Sequence, residues 1–250
     1  MKKKVRKYVY ITLIFICFLL FVIKFGGPEI LKAYVRAGTG DCRTTPILCI
    51  VPDRQIINPV IDKAYRRELL SYSFPSKLTP FPLPHMEIAV PKGFAVVRGS
   101  VTKVFYKKRK YSAKTPTVYL LYQKPQFFSN LFPQLKSVGV GSNYEFINRT
   151  LYSQFSNIES IYDAFFVIMK SIFTPNIGQQ NNVKVIKFDT EGKSGFITYN
   201  FTSQENYFDC DIITKNDSFC KIYIKDKGSR LDLDKVIAII STMNVIDELQ

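Results

Sequence analysis

The chain contains no tryptophan and a single histidine, His85. Zinc sites and nucleophile–histidine–acid triads both draw on imidazole, so zinc has too few ligands here and a triad has only His85 to use. Cysteine is sparse too. Of five, Cys17 sits in an apolar run and the other four form two close pairs, Cys42/Cys49 and Cys210/Cys220, at spacings that match no zinc module. Acidic residues number 20 against 35 basic ones, for a net charge of +15. A surface of that sign suits anionic lipids, acidic polymers or acidic partners. Beyond Phe25 no apolar stretch is long enough to cross a bilayer as a helix, which rules out a multi-pass helical arrangement.

The nucleotide and nucleophile motifs are missing as well. Gly192-Lys193-Ser194 looks like the end of a P-loop, but Lys187 stands where the leading glycine belongs and a strand rather than a helix is expected to follow. Gly139-Val140-Gly141 lacks the third glycine of a dinucleotide fingerprint, and no G-x-S-x-G element occurs. Asp226, Asp232 and Asp234 lack calcium-loop spacing, and helix capping accounts for Asp232. No cofactor or metal is implied. Glu87, Glu145, Asp163 and Asp189 are available for carboxylate chemistry, with nothing in the sequence to bring any two together.

What is present begins at the N-terminus. Lys2, Lys3, Lys4, Arg6 and Lys7 precede an uncharged run from Tyr8 to Ile23. The run falls slightly short of the ~20 residues that span a hydrocarbon core, but Val5, Phe25 and Gly26 extend it and the flanking lysines can snorkel. No small-x-small cleavage step follows at the right distance, so an uncleaved signal anchor is favoured over a cleaved signal peptide. The excess of basic residues ahead of the run puts the N-terminus in the cytoplasm and the rest outside it. An oxidising compartment then suits disulfides at Cys42/Cys49 and Cys210/Cys220. The sequons at Asn148, Asn200 and Asn216 matter only in a eukaryotic secretory route.

Along the remainder, Pro28 to Arg36 reads as a juxtamembrane helix and residues 38–59 as a loop carrying the first cysteine pair. Helical spacing follows from Val60 to Tyr72. Pro75, Pro80, Pro82 and Pro84 make an extended linker. Glu87–Val90 and Phe94–Arg98 read as strand segments. Thr102–Tyr106 and Thr117–Tyr122 read as a hairpin around the basic turn Lys107-Lys108-Arg109-Lys110, and residues 127–135 as a short helix interrupted at Pro133. Ser156 and Glu159 form a capping-box pattern for a helix from Ile158 to Phe173. Four strands follow at 183–189, 195–202, 206–213 and 218–225, and Asp232 caps a last helix. If Cys210 faces Cys220, Asp209 opposes Lys221 and Glu205 opposes Lys225 on the outer face. Phe208, Ile212, Ile222 and Ile224 then join the sulfurs inside. An alternative two-residue Asn216-Asp217 turn separates the thiols.

These readings predict an α+β fold: a single N-terminal transmembrane helix followed by an antiparallel β-sheet domain with packed helices, α/β sandwich-like. The divisions are a cytoplasmic basic tail at 1–7, a signal anchor at 8–26, a juxtamembrane helix, cysteine loop and proline-rich linker at 27–84, and an extracytoplasmic domain at 85–250. The expected function is a non-catalytic, membrane-anchored accessory or binding domain. Its partner is expected to be an envelope protein or an anionic lipid or polymer, met in part through Lys107, Lys108, Arg109 and Lys110, with no role for nucleic acid. The alternative is an envelope hydrolase with a carboxylate site that only the fold assembles.

Overall fold

The computed structural model describes residues 26–74, 84–98, 116–174, 177 and 180–246. The expected anchor at 8–23, and the expected basic turn Lys107–Lys110 with the strand expected ahead of it, lie outside them. The first helix among the described residues, α1 (Gly27–Thr39), has Pro28 in its first turn, where the missing N–H costs nothing. It stops at Gly40, whose positive φ and close approach to the Thr44 hydroxyl leave no room for a Cβ. A 3-10 turn (Pro46–Cys49) and a short strand β1 (Gln55–Ile57) follow.

The helical spacing over Val60–Tyr72 resolves differently from expectation. Asp62 caps a six-residue helix α2 (Lys63–Glu68) through the Ala64 N–H, and Leu69 then turns into strand β2 (Leu69–Phe74). The second half of the segment gains a sheet partner that local periodicity does not reveal. Strand β3 (His85–Pro91) pairs antiparallel with β2. Strand β4 (Ala95–Arg98) lies parallel to β5 (Thr117–Gln123).

Three helices come next: α3 (Phe127–Leu131), α4 (Asn143–Tyr152) and α5 (Ile161–Phe173). The sequence reading starts α5 at Ile158 with a Ser156/Glu159 box. Instead Ile158 is extended and the box is Ser160/Asp163, with the Ser160 hydroxyl accepting from the Asp163 N–H and the Asp163 carboxylate accepting from the Ser160 N–H. Helix α4 carries the same device, Ser142 with Glu145. The chain closes with β6 (Lys184–Thr190), β7 (Lys193–Phe201), β8 (Glu205–Thr214), β9 (Phe219–Lys227), α6 (Leu233–Thr242) and β10 (Asn244–Ile246).

The large sheet has the order β1-β6-β7-β8-β9-β5-β4, and the small one β10-β3-β2. Residues 27–84 therefore give a strand to each sheet. One face of the large sheet buries Val118, Leu120, Ile197, Phe208, Ile222 and Ile224 against α6 and the small sheet. The other face buries Leu121, Phe196, Ile213 and Phe219 against α1, α3, α4 and α5, where Phe128, Phe146, Phe166 and Phe173 pack ring against ring. The molecule is thus a mixed α+β fold, a large and mostly antiparallel sheet covered on both faces.

The register of β8 and β9 corrects the cysteine expectation. Cys210 opposes Ile222 and Cys220 opposes Ile212, a slip of two residues from the expected pairing. The side-chain period in a strand is two, so the slip keeps every residue on its expected face but moves the two thiols to diagonal positions. Both are buried and no disulfide joins them. The cause is a three-residue turn centred on Asn216, closed by the Thr214 N–H donating to the Ser218 carbonyl, with Asp217 left-handed at φ 61°. At the other pair, Cys42 and Cys49 lie at disulfide distance, their Cα atoms 5.6 Å apart.

Candidate functional site

The face of β8 and β9 read from sequence as solvated is buried beneath the helical layer, and it concentrates the polar chemistry of the fold. Asp211 sits directly opposite Lys221, and Asp209 is its diagonal neighbour. The Lys221 ammonium lies 2.7 Å from Asp211 Oδ1 and 2.6 Å from Asp209 Oδ1, under the ring of Phe173. The contact with Asp209 is a close ion pair that misses hydrogen-bond geometry, and Asp211 Oδ2 has no hydrogen-bond partner. Across from Asp209, Thr198 is buried with its hydroxyl unpaired. Two carboxylates share one ammonium, so the fully ionised cluster would bury a net negative charge. Burial pushes both carboxyls above the usual range, only partly countered by Lys221. Burial also opposes charge on Lys221, but the two carboxylates more than offset it and hold the ammonium above its ordinary value.

Toward the strand ends the cluster runs into tyrosines. Tyr223 lies beside Tyr119 and Tyr207, with ring centroids 6.1 and 6.5 Å apart. The Tyr207 hydroxyl donates to Glu205, which also pairs with Lys225 at 3.0 Å and Lys227 at 3.6 Å. The Tyr207 bond and the two lysines hold the Glu205 carboxyl below its ordinary value. Burial and the Asp209 carboxylate push the Tyr223 phenol up. Gly195 maintains the stripe from the neighbouring strand. A Cβ there would stand 1.9 Å from the Asp211 carbonyl oxygen, so β7 and β8 approach this closely only with glycine.

A second buried lysine lies on α5. Lys170 is fully buried and donates to the carbonyls of Ile50 (2.5 Å) and Ser153 (2.8 Å). Burial pushes its amine down to about 7. It pins the cysteine loop and the end of α4 to α5.

His85 has neighbours of the right types for a triad, in the wrong places. Ser73 Oγ lies 2.5 Å from His85 Nε2, and the Glu87 carboxylate lies 3.6 Å from that same nitrogen. A relay needs the nucleophile on one ring nitrogen and the acid on the other. Among the other carboxylates considered, Glu145 and Asp163 border an open groove of about 420 Å³ with Asn148, Arg149 and Gln154. Both are engaged by the backbone at their own helix starts, Glu145 by the Gly141 and Ser142 N–H groups and Asp163 by Ser160. Of the sequons, Asn200 is buried, and its amide donates to Gln180 and to the Asn181 carbonyl.

Sequence reasoning places Asp209 and Lys221 on one face but misses their burial, along with Lys170 and Ser73. No local pattern marks a lysine whose partners are carbonyls 120 and 17 positions away. Among the described residues no helix is long and apolar enough to cross a membrane, and no group of three or more His, Cys, Asp or Glu is placed to hold a metal. No family model, curated protein or solved structure matches the chain.

Proposed function

We propose that this chain is a membrane-tethered domain displayed outside the cytoplasm that works by binding rather than by catalysis. The observation that carries the reading is the Cys42–Cys49 pair, at disulfide distance in the loop that follows α1. Such a pair suits an oxidising compartment. It stands just past an apolar run with a basic leader, the arrangement of a signal anchor. The strongest polar groupings are engaged with one another: Asp209 and Asp211 with Lys221, and Glu205 with Tyr207, Lys225 and Lys227. They hold the sheet in one register and leave contact surfaces to the partner. The partner is an envelope protein or an anionic lipid or polymer, with Lys107, Lys108, Arg109 and Lys110 as the basic contact.

The test is two-step thiol labelling in native membranes. Proteins are denatured, tagged with one maleimide, reduced, and tagged with a second. Cys42 and Cys49 should take the second tag alone, and Cys210 and Cys220 the first. First-tag labelling of Cys42 and Cys49 would remove the oxidising compartment and the reading with it. Crosslinking in the same membranes names the partner. The alternative of an envelope hydrolase has one geometric foothold, the Ser73–His85–Glu87 group. Labelling of Ser73 by a fluorophosphonate probe would favour it.

A further inference from the structure

Helix α1 has a wider apolar face than the domain covers. At about 100° per residue, Ala33, Ala37, Ile30 and Tyr34 fall within a wedge of about 100°, and Leu31 and Val35 continue the same face. Thr39, Lys32, Arg36 and Glu29 occupy the remaining arc. Only the Leu31–Val35 side of the apolar face is packed. Val35 is fully buried and Leu31 half-buried in the helical core beside α5. The wedge itself faces out, with Ile30 66% and Tyr34 71% exposed and Ala33 and Ala37 exposed beside them.

Two facts identify what covers that wedge. Gly27, the first residue of α1, comes four positions after Ile23, where the apolar run ends, so the helix cannot travel far from wherever the run is held. The charges of the polar arc are also partnered within the domain, Glu29 with Lys32 at 2.9 Å and Arg36 with Asp41 at 3.6 Å. The wedge can therefore enter an apolar medium without taking a lone charge with it. A helix with an uncharged apolar wedge on one side, ion pairs on the other and a tyrosine on the wedge can lie in a bilayer interface.

We propose that α1 lies on the outer leaflet of the anchoring membrane, with Ala33, Ala37, Ile30 and Tyr34 in the headgroup–acyl boundary. Leu31 and Val35 hold the domain against the same helix. The proposal rests on the reading of residues 8–23 as an anchor. It adds that the domain is held in one fixed orientation, helical layer toward the lipid, rather than swinging on a tether.

The absence of tryptophan makes the test direct. Full-length protein carrying Tyr34→Trp, and separately Ile30→Trp, is reconstituted into phosphatidylcholine vesicles with or without brominated acyl chains. Both positions are exposed, so neither substitution disturbs the core. The expected result is blue-shifted emission that falls by more than half in brominated vesicles and is shielded from aqueous iodide. Protein that survives an alkaline wash on the vesicles, but whose tryptophans are quenched by iodide and not by bromine, overturns the docking of α1 and leaves the anchor standing. Protein that washes off overturns the anchor, and the proposal with it.

Discussion

Replacing Lys221 by methionine would strand Asp209 and Asp211 in the core without the cation they share. Breaking one partner out of a buried ion pair costs roughly 3–5 kcal/mol, and urea unfolding of Lys221→Met should show a loss of that order. Adding Asp209→Asn and Asp211→Asn should restore most of it, because the remaining groups are then neutral. A Lys221→Met variant as stable as the parent would mean that the cluster does not hold the strands. Lys170 calls for a different measurement. Its folded value of about 7 lies below the ordinary 10.5, so the unfolded chain binds the proton more tightly. The stability it contributes is complete above the unfolded value and is lost as pH falls through the folded one. At about 1.36 kcal/mol per unit the change across this window is on the order of 5 kcal/mol. Stability should therefore rise between about pH 7 and about pH 10, with a smaller part from Lys193, which burial also lowers. Lys170→Met should remove most of the slope. Asp209 and Asp211 act in the opposite sense at lower pH, since raised carboxyls stabilise the fold in acid and lose that contribution as pH climbs through their folded values.

At the scale of elements, the β8–β9 turn does more than reverse the chain. The Asp217 carboxylate accepts hydrogen bonds from the Asn143 and Tyr144 N–H groups at the start of α4 (2.9 and 3.1 Å) and from the Gln126 N–H ahead of α3 (3.1 Å). Asn143 answers by donating its amide to the Asp217 carbonyl and accepting from the Phe128 N–H. A single hairpin residue thereby supplies an acidic partner for helix N-termini more than 70 positions away. Asp217→Ala should cost about 2 kcal/mol, in line with lost caps that also carry charge. It should also raise amide exchange at Gln126, Asn143 and Tyr144 together. Exchange that rises only within the turn would show that the helices do not depend on it. This coupling explains where the sequence is opaque. Strands β6 to β9, and α6 behind Asp232, announce themselves through alternation and a local cap. Helix α4 goes unread although its Ser142/Glu145 box is local, because its apolar positions are interrupted by Asn148 and Arg149. Strands β1 and β10 are three residues long and exist only through their neighbours β6 and β3.

At the scale of the molecule, the antiparallel sheet and its helices are legible because burial on one face of a strand leaves a period of two. The burial of the second face is not, because Asp209, Asp211 and Lys221 read as solvent-facing by composition and are inside only as a mutually neutralising group. The strand order carries a consequence for how the chain is made. Strand β9 joins β5 and β4 on one side to the β1-β6-β7-β8 group on the other, and it is built from residues 219–227 of 250. Helix α6 and β10, which cover the opposite face, the one lined by Val118, Leu120, Ile197 and Phe208, come later still. A polypeptide growing from the ribosome therefore carries two unjoined pieces of sheet until β9 has emerged. Completion of the large sheet thus waits on one late strand, and the edges of β5 and β8 stay unpaired until it arrives.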